Sequence, residues 1–108
     1  MSWKKLEESE YETYFDALSK GLKDETAEIE VMAVGIMDKK QTGWIPFYGI
    51  SYDPPDKIIS VISEYIDHHI KQPKEVSVHE ENGGVDSIEI TGGDGYNHLL
   101  KFREPITQ

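Results

Sequence analysis

Cysteine is absent from this 108-residue chain. That excludes disulfides, thiolate nucleophiles and cysteine-ligated zinc, and leaves packing to hold the fold. Basic residues are scarce: 11 Lys and Arg stand against 21 Asp and Glu, for a net charge of −10 with the four histidines neutral. Such a field repels phosphate backbones. The short clusters Lys4-Lys5, Lys39-Lys40 and Lys71 with Lys74 are scattered and mostly flanked by acids, so no nucleic-acid partner is expected. No apolar run approaches the roughly 18 to 20 residues that a membrane span needs. The stretch Met1–Glu8 has no apolar segment of the kind a secretory signal carries. The expectation is a soluble, cytoplasmic protein with no membrane partner. Repeats, linkers and low-complexity segments are also missing.

What is present is 37% apolar side chains, roughly 40 of them, enough for one core and one domain spanning 1–108. Residues 1–8 read as an extended lead-in, because Trp3 and Leu6 fall off the stripe that follows. Ser9-Glu10-Tyr11-Glu12 fits a capping box. Tyr11, Tyr14, Phe15, Leu18 and Leu22 then recur at three- and four-residue spacing, which predicts an amphipathic helix over 9–20. Gly21 stands where a left-handed residue would end it.

From Glu28 the period changes to two. Glu28–Met37 alternates and then turns apolar on both faces, as a strand does when it runs from an edge into the interior. Asp38–Gly43 reads as a polar connection, and Trp44–Tyr52 as a second strand with Pro46 at an edge or bulge. Asp53-Pro54-Pro55-Asp56-Lys57 has two readings. As a turn it leads into a strand of about 58–64; as a helix start, Asp53 caps a stripe of Ile58, Val61, Ile62, Tyr65, Ile66 and His69. Five isoleucines and a valine between 58 and 70 favour the strand, followed by an irregular or helical turn through Asp67-His68-His69 to Pro73. Glu75–Glu80 and Val85–Thr91 alternate as strands, Gly92-Gly93-Asp94-Gly95 has hairpin chemistry, and Tyr96–Phe102 closes the sheet before Glu104-Pro105. The class is α+β: an N-terminal amphipathic helix, then about six short antiparallel strands over 28–103, in a bent sheet or small barrel.

Several local patterns occur together: Tyr14-Phe15-Asp16-x-Leu18-Ser19, Gly49-Ile50-Ser51-Tyr52-Asp53-Pro54, His69-Ile70-x-x-Pro73-x-Glu75-Val76-x-Val78, and Asp94-Gly95 before the last strand. In that order, over residues 6–106, the chain resembles a family of small prokaryotic proteins built on a domain of unknown function. The resemblance implies no activity, cofactor or catalytic residue. It does imply strand, turn, strand around Asp53-Pro54.

Little of the sequence points to chemistry. His68-His69, His79 and His98 are the only imidazoles. Adjacent histidines diverge, so His68 and His69 are poorly placed to share one ion, whereas His79 and His98 can approach across a sheet with Asp86 or Glu80 adding a carboxylate. Packed or surface histidines are the commoner outcome, and neither a metal nor a cofactor is expected. Asp53 and Asp56 lie on a proline-stiffened loop beside Tyr52 and Lys57; turn capping explains them as well as acid–base work does. Gly92–Gly95 lacks the Gly-Lys-Ser/Thr ending of a phosphate loop, and no Gly-x-Ser-x-Gly elbow occurs. Alternation puts Trp44, Tyr48 and Tyr52 on one face and Phe47 on the other, for use as core under the helix or as a contact surface.

Two functions are carried forward. The first is a non-enzymatic acidic module that contacts a protein partner or a second copy of itself, as a homodimer along a strand edge. The second is a small-molecule or metal-binding protein that uses Tyr52, Asp53, Asp56, Lys57 and His69. Catalytic residues are not legible.

Overall fold

A computed structural model of the chain describes residues 2–21, 27–34, 39–41, 44–64, 67–81 and 83–107. Leu22, the last residue of the expected apolar stripe, lies outside them. The order is β1 (Ser2–Leu6), a 3₁₀ turn (Glu8–Glu10), α1 (Tyr11–Lys20), β2 (Ala27–Val34), β3 (Lys39–Gln41) and β4 (Ile45–Asp53). There follow β5 (Ile58–Ser63), β6 (Asp67–Lys71), β7 (Glu75–Glu81), β8 (Gly84–Thr91) and β9 (Asn97–Thr107). One mostly antiparallel sheet runs β1-β7-β8-β9-β2-β4-β5-β6, and off this path β3 pairs with β2. An α+β description holds, with two corrections. The lead-in is itself an edge strand, so the helix is not the first element, and the strands exceed six.

The helix forms where its stripe predicts. Tyr11, Phe15 and Leu18 are buried along one face. The start differs from the expected box: Glu10 Oε1 accepts from the Glu7 amide at 2.9 Å, so the reciprocal contact sits two residues earlier than Ser9 and Glu12. Gly21 ends the helix in the right-handed region, φ −65°, with its amide on the Ala17 and Leu18 carbonyls. No left-handed residue is needed there. Ser19 docks α1 onto β4. Its Oγ donates to the Ile50 carbonyl at 2.7 Å and accepts from the Ile50 amide at 3.0 Å. The need is local, because β2 pairs with β4 only over Ile45–Phe47. Beyond that point no strand among the described residues lies beside the outer backbone groups of β4, and Ser19 satisfies both at Ile50.

The β4–β5 ladder passes from Phe47↔Ser63 to Gly49↔Ile62, leaving Tyr48 as an extra residue. A bulge of this kind reverses the inside–outside order beyond it. Phe47, Ile50 and Tyr52 point inward, while Trp44 and Tyr48 are exposed. The row of Trp44, Tyr48 and Tyr52 expected from simple alternation is therefore broken. Phe47 meets Phe102 at 5.2 Å between ring centres, and Tyr52 meets Tyr11 edge-on at 5.2 Å.

Three further boundaries differ from expectation. The polar connection 38–43 contains β3, which pairs with Met32–Val34. Asp67–Lys71 is a strand in register with β5, Ile58↔Lys71 to Ile62↔Asp67, and not an irregular or helical turn; it alternates, with Ile70 inside and Asp67, His69 and Lys71 outside. The last strand does not stop before Glu104-Pro105: it shifts register against β8 and ends with Val85↔Ile106 and Gly84↔Thr107. Gly84 is fixed by that crossing, since a Cβ there would lie 2.9 Å from Pro105 Cβ.

The sheet curls until its far strand meets its middle. The Gly93 amide, in the β8–β9 turn, donates to the Lys71 carbonyl at 3.0 Å, and the Lys74 amide donates to Thr91 O at 2.8 Å. Inside the curl one apolar cluster runs from Leu6 and Phe15 through Ile59, Val76 and Ile88 to Leu100 and Ile106. No helix among the described residues is long and apolar enough to cross a membrane.

Candidate metal centre

One irregularity in the β7–β8 hairpin brings three ligand-type side chains together. His79 pairs with Ser87, but Glu80 pairs with Val85, so Asp86 is an extra residue beside the His79–Glu80 step. Both residues of a bulge oppose one residue of the partner strand, which turns the Asp86 side chain to the His79 side. Glu81 is two residues from His79 on a strand and shares its face. One ligand atom from each of His79, Glu81 and Asp86 lies within 4.8 Å of the other two.

Within this group His79 Nδ1 is 2.6 Å from Asp86 Oδ1, and the side chains keep 12% and 25% of their exposure. The site is thus partly dry but open. Trp3 lies opposite His79 in the β1–β7 register, and its ring centre is 5.1 Å from the imidazole. Next to the cluster, Glu80 takes a different direction and accepts from the Tyr14 hydroxyl at 3.0 Å. One nitrogen and two carboxylates form a mixed N/O donor set suited to a borderline divalent cation such as zinc, manganese or iron(II).

His79 and His98 each have another partner. The expected approach of the two does not form, because β8 lies between their strands. His98 Nδ1 meets His68 Nε2 at 2.8 Å instead, with ring centres 4.8 Å apart. His98 is 5% exposed, and its Nε2 has no hydrogen-bond partner among the described residues. Burial lowers the pKa of His98, with His68 adding to the effect and Asp94 opposing it. Burial likewise lowers that of His68, helped by His69 and opposed by Asp94.

The five residues of the 52–57 loop reading do not converge. Tyr52 is buried, and its hydroxyl donates to Glu8 Oε2 at 3.2 Å; burial first, then Glu8, raises its pKa. Lys57 Nζ stands 3.9 Å from the same Glu8, and Asp53 is exposed at the end of β4. Asp56 and His69 line another place, an open groove of about 620 Å³ with Lys71, Gln72 and Asp94. His69 Nδ1 contacts Ser60 Oγ at 3.0 Å on the exposed side of β6, and His68 faces the other way. The divergence expected of adjacent histidines is what the strand produces.

Glu81 is a residue that sequence reasoning missed, and the pairing of His68 with His98 is a contact that it missed. Period-two spacing from His79 carries a signal for Glu81. Nothing in the order of residues announces His68 with His98, which depends on the curl of the sheet.

A family model described as a family of unknown function, DUF5335, matches residues 2–108. The chain belongs to this family. It is also 35% identical over 107 residues to an uncharacterized protein of Aquifex aeolicus (strain VF5), covering 98% of this chain and 96% of that relative. No solved structure matches. DUF5335 brings no activity with it, so function has to be argued from the side chains.

Proposed function

We propose that this DUF5335 member is a non-enzymatic binding protein that holds one divalent cation of the zinc class through His79, Glu81 and Asp86. The observation that supports it is the convergence of three ligand atoms within 4.8 Å on two adjacent strands. In a zinc site with bonds of about 2.0–2.2 Å, ligand atoms stand about 3–3.5 Å apart. The 2.6 Å His79–Asp86 contact has to open by less than about 1 Å to admit the ion. Water fills the remaining coordination positions. A cation and a proton compete for the same imidazole lone pair, so uptake weakens in acid. Three ligands on a short hairpin beside an edge strand staple that end of the sheet. A cytoplasmic setting goes with this reading.

Calorimetric titration with zinc, manganese and iron(II) tests it. One site per chain is expected, lost in His79→Gln and in Asp86→Asn. Trp3 fluorescence, isolated in a Trp44→Phe background, should report the same stoichiometry. Absence of binding at micromolar metal, or full retention in both variants, would overturn the proposal.

A second reading keeps the acidic contact module, with a protein partner or a second copy along a strand edge. It is favoured by Trp3, Trp44 and Tyr48, which remain 53%, 44% and 57% exposed, Trp3 on the edge strand itself. Light scattering over a range of concentrations, with and without zinc, separates the two. A concentration-independent monomer in both states counts against the contact reading and leaves the cation reading intact.

A further inference from the structure

The His68–His98 pair plays no part in the proposed cation site, and its position calls for a separate account. Among the described residues β6 is an edge strand whose strand pairing is to β5. On its other side it reaches the middle of the sheet through the Gly93–Lys71 bond of 3.0 Å and the His68–His98 contact of 2.8 Å. Ile70 completes this seam: its Cγ2 would lie 3.2 Å from a Cβ on Gly92, and His98 Nε2 would lie 3.4 Å from the same point. The imidazole pair is thus one of a few ties between an edge strand and the body of the fold.

Two neutral imidazoles make this contact well, because one ring N–H donates and the other ring nitrogen accepts. One added proton can be shared, since a cation on one ring still finds a lone pair on the other. A second removes that lone pair, and two N–H groups of like charge then face each other. His98 has a further difficulty: its Nε2 is buried without a partner among the described residues, so a cationic ring there carries an unsatisfied donor. The surroundings do little to help. From the β8–β9 turn Asp94 favours the charged forms and from β6 His69 opposes that of His68. Tyr96 presents its ring to His98 at 6.4 Å. The register partners are Val61 on β5, Ile90 on β8 and Ala33 on β2, none of them ionisable.

We propose that His68 and His98 form a proton-operated latch: uptake of a second proton breaks their contact, opens the seam between β6 and β9, and frees the outer edge of β6. The groove lined by Asp56, Ile58, His69, Lys71, Gln72 and Asp94 borders that seam, so its shape follows the state of the latch.

Hydrogen exchange on the metal-free protein between pH 7.5 and pH 5, corrected for intrinsic rates, tests the latch without any variant. Protection of the β6 amides, residues 67–71, should fall at least about tenfold for each pH unit below the onset, the factor for one proton, while β7 and β8 keep theirs. Ring NMR on the same samples should show both imidazoles neutral at pH 7.5, with their signals changing together as β6 protection falls. In His68→Gln, where only one titrating ring remains, the pH dependence of β6 should flatten. Flat β6 protection in the natural sequence, loss in step with the entire sheet, or two rings titrating independently near their ordinary value would each overturn the latch. Chelator is present throughout, so the result does not depend on the cation site.

Discussion

The two places where histidine meets a titratable partner differ in almost every physical respect. His79 sits on a hairpin with two carboxylates close to it, partly open to water, where a metal ion would find ligands. His98 sits inside the curl with another imidazole as its contact, 5% exposed, where positive charge is unwelcome. The same side chain is a candidate ligand at one end of the sheet and a candidate latch at the other. What separates them is the partner and the water. Carboxylates within reach make a cation site; an imidazole in a dry seam makes a neutral pair.

The largest expected effect belongs to the His79 end. If a cation binds there, it stabilises the folded chain by about 2.7 kcal/mol at a free concentration one hundred times Kd. Thermal unfolding should shift upward with added zinc. Asp86→Asn should abolish the shift, and His68→Gln should leave it unchanged. Equal loss in both variants would erase the distinction between the two ends.

A control next in size lies away from both. Ser19→Ala removes the hydroxyl that satisfies the amide and carbonyl of Ile50, and leaving such groups unpaired costs about 1–3 kcal/mol. The loss should be the same at pH 8 and pH 5 and with or without zinc, when followed by urea unfolding. It shows what a general loss of stability looks like, against which the two specific effects are judged.

At the other end the lever is pH. Lowered pKa values mean that the unfolded chain takes up protons more readily than the folded one. The stability that depends on neutral His68 and His98 is therefore complete above about pH 6.5 and falls as pH drops through the lowered folded values. Within that window each proton that the unfolded chain binds and the folded pair excludes contributes a slope of about 1.4 kcal/mol per pH unit. Denaturation midpoints measured from pH 8 to pH 5 should show this decline in the natural sequence and in His79→Gln. A decline of equal steepness in His68→Gln would remove the seam from the account.

Much of this molecule is legible in its residue order, and the part that is not has a common cause. The stripe Tyr11, Phe15, Leu18 and the alternation of Val76 with Val78 and Ile88 with Ile90 declare helix and strand because each buries one face. The strand reading of Ile58–Ser63 holds, since β5 lies between two strands and its many branched side chains suit that position. What escapes is register. One extra residue at Tyr48 reverses the faces beyond it and sends Tyr52 into the core, and another at Asp86 carries a carboxylate to His79. Neither bulge has a residue signature of its own. The curl that joins His68 to His98 lies further still from local pattern, because it sums the twist of every strand between them. Candidate sites here sit at the irregularities, which is where alternation stops being a guide.

The smallest expected effect concerns the corner where the seam ends. Lys57 and Gln72 both have left-handed backbones, φ 53° and 49°, and the Gln72 amide donates to the Lys57 carbonyl at 2.7 Å. A side chain costs energy in that region, and glycine does not. Replacing Gln72 by glycine relieves the strain but loosens the unfolded chain, so a net gain of about 0.5–1 kcal/mol is the most to expect. Gly93, across the seam, shows why this position matters: a Cβ on it would lie 3.0 Å from Gln72 Cβ and 3.2 Å from the Lys71 carbonyl. If the seam is held by the imidazole pair, Gln72→Gly should raise stability equally at pH 8 and pH 5, leaving the slope between them intact. If the corner holds it instead, the substitution should change that slope, and denaturation midpoints at the two pH values distinguish the outcomes.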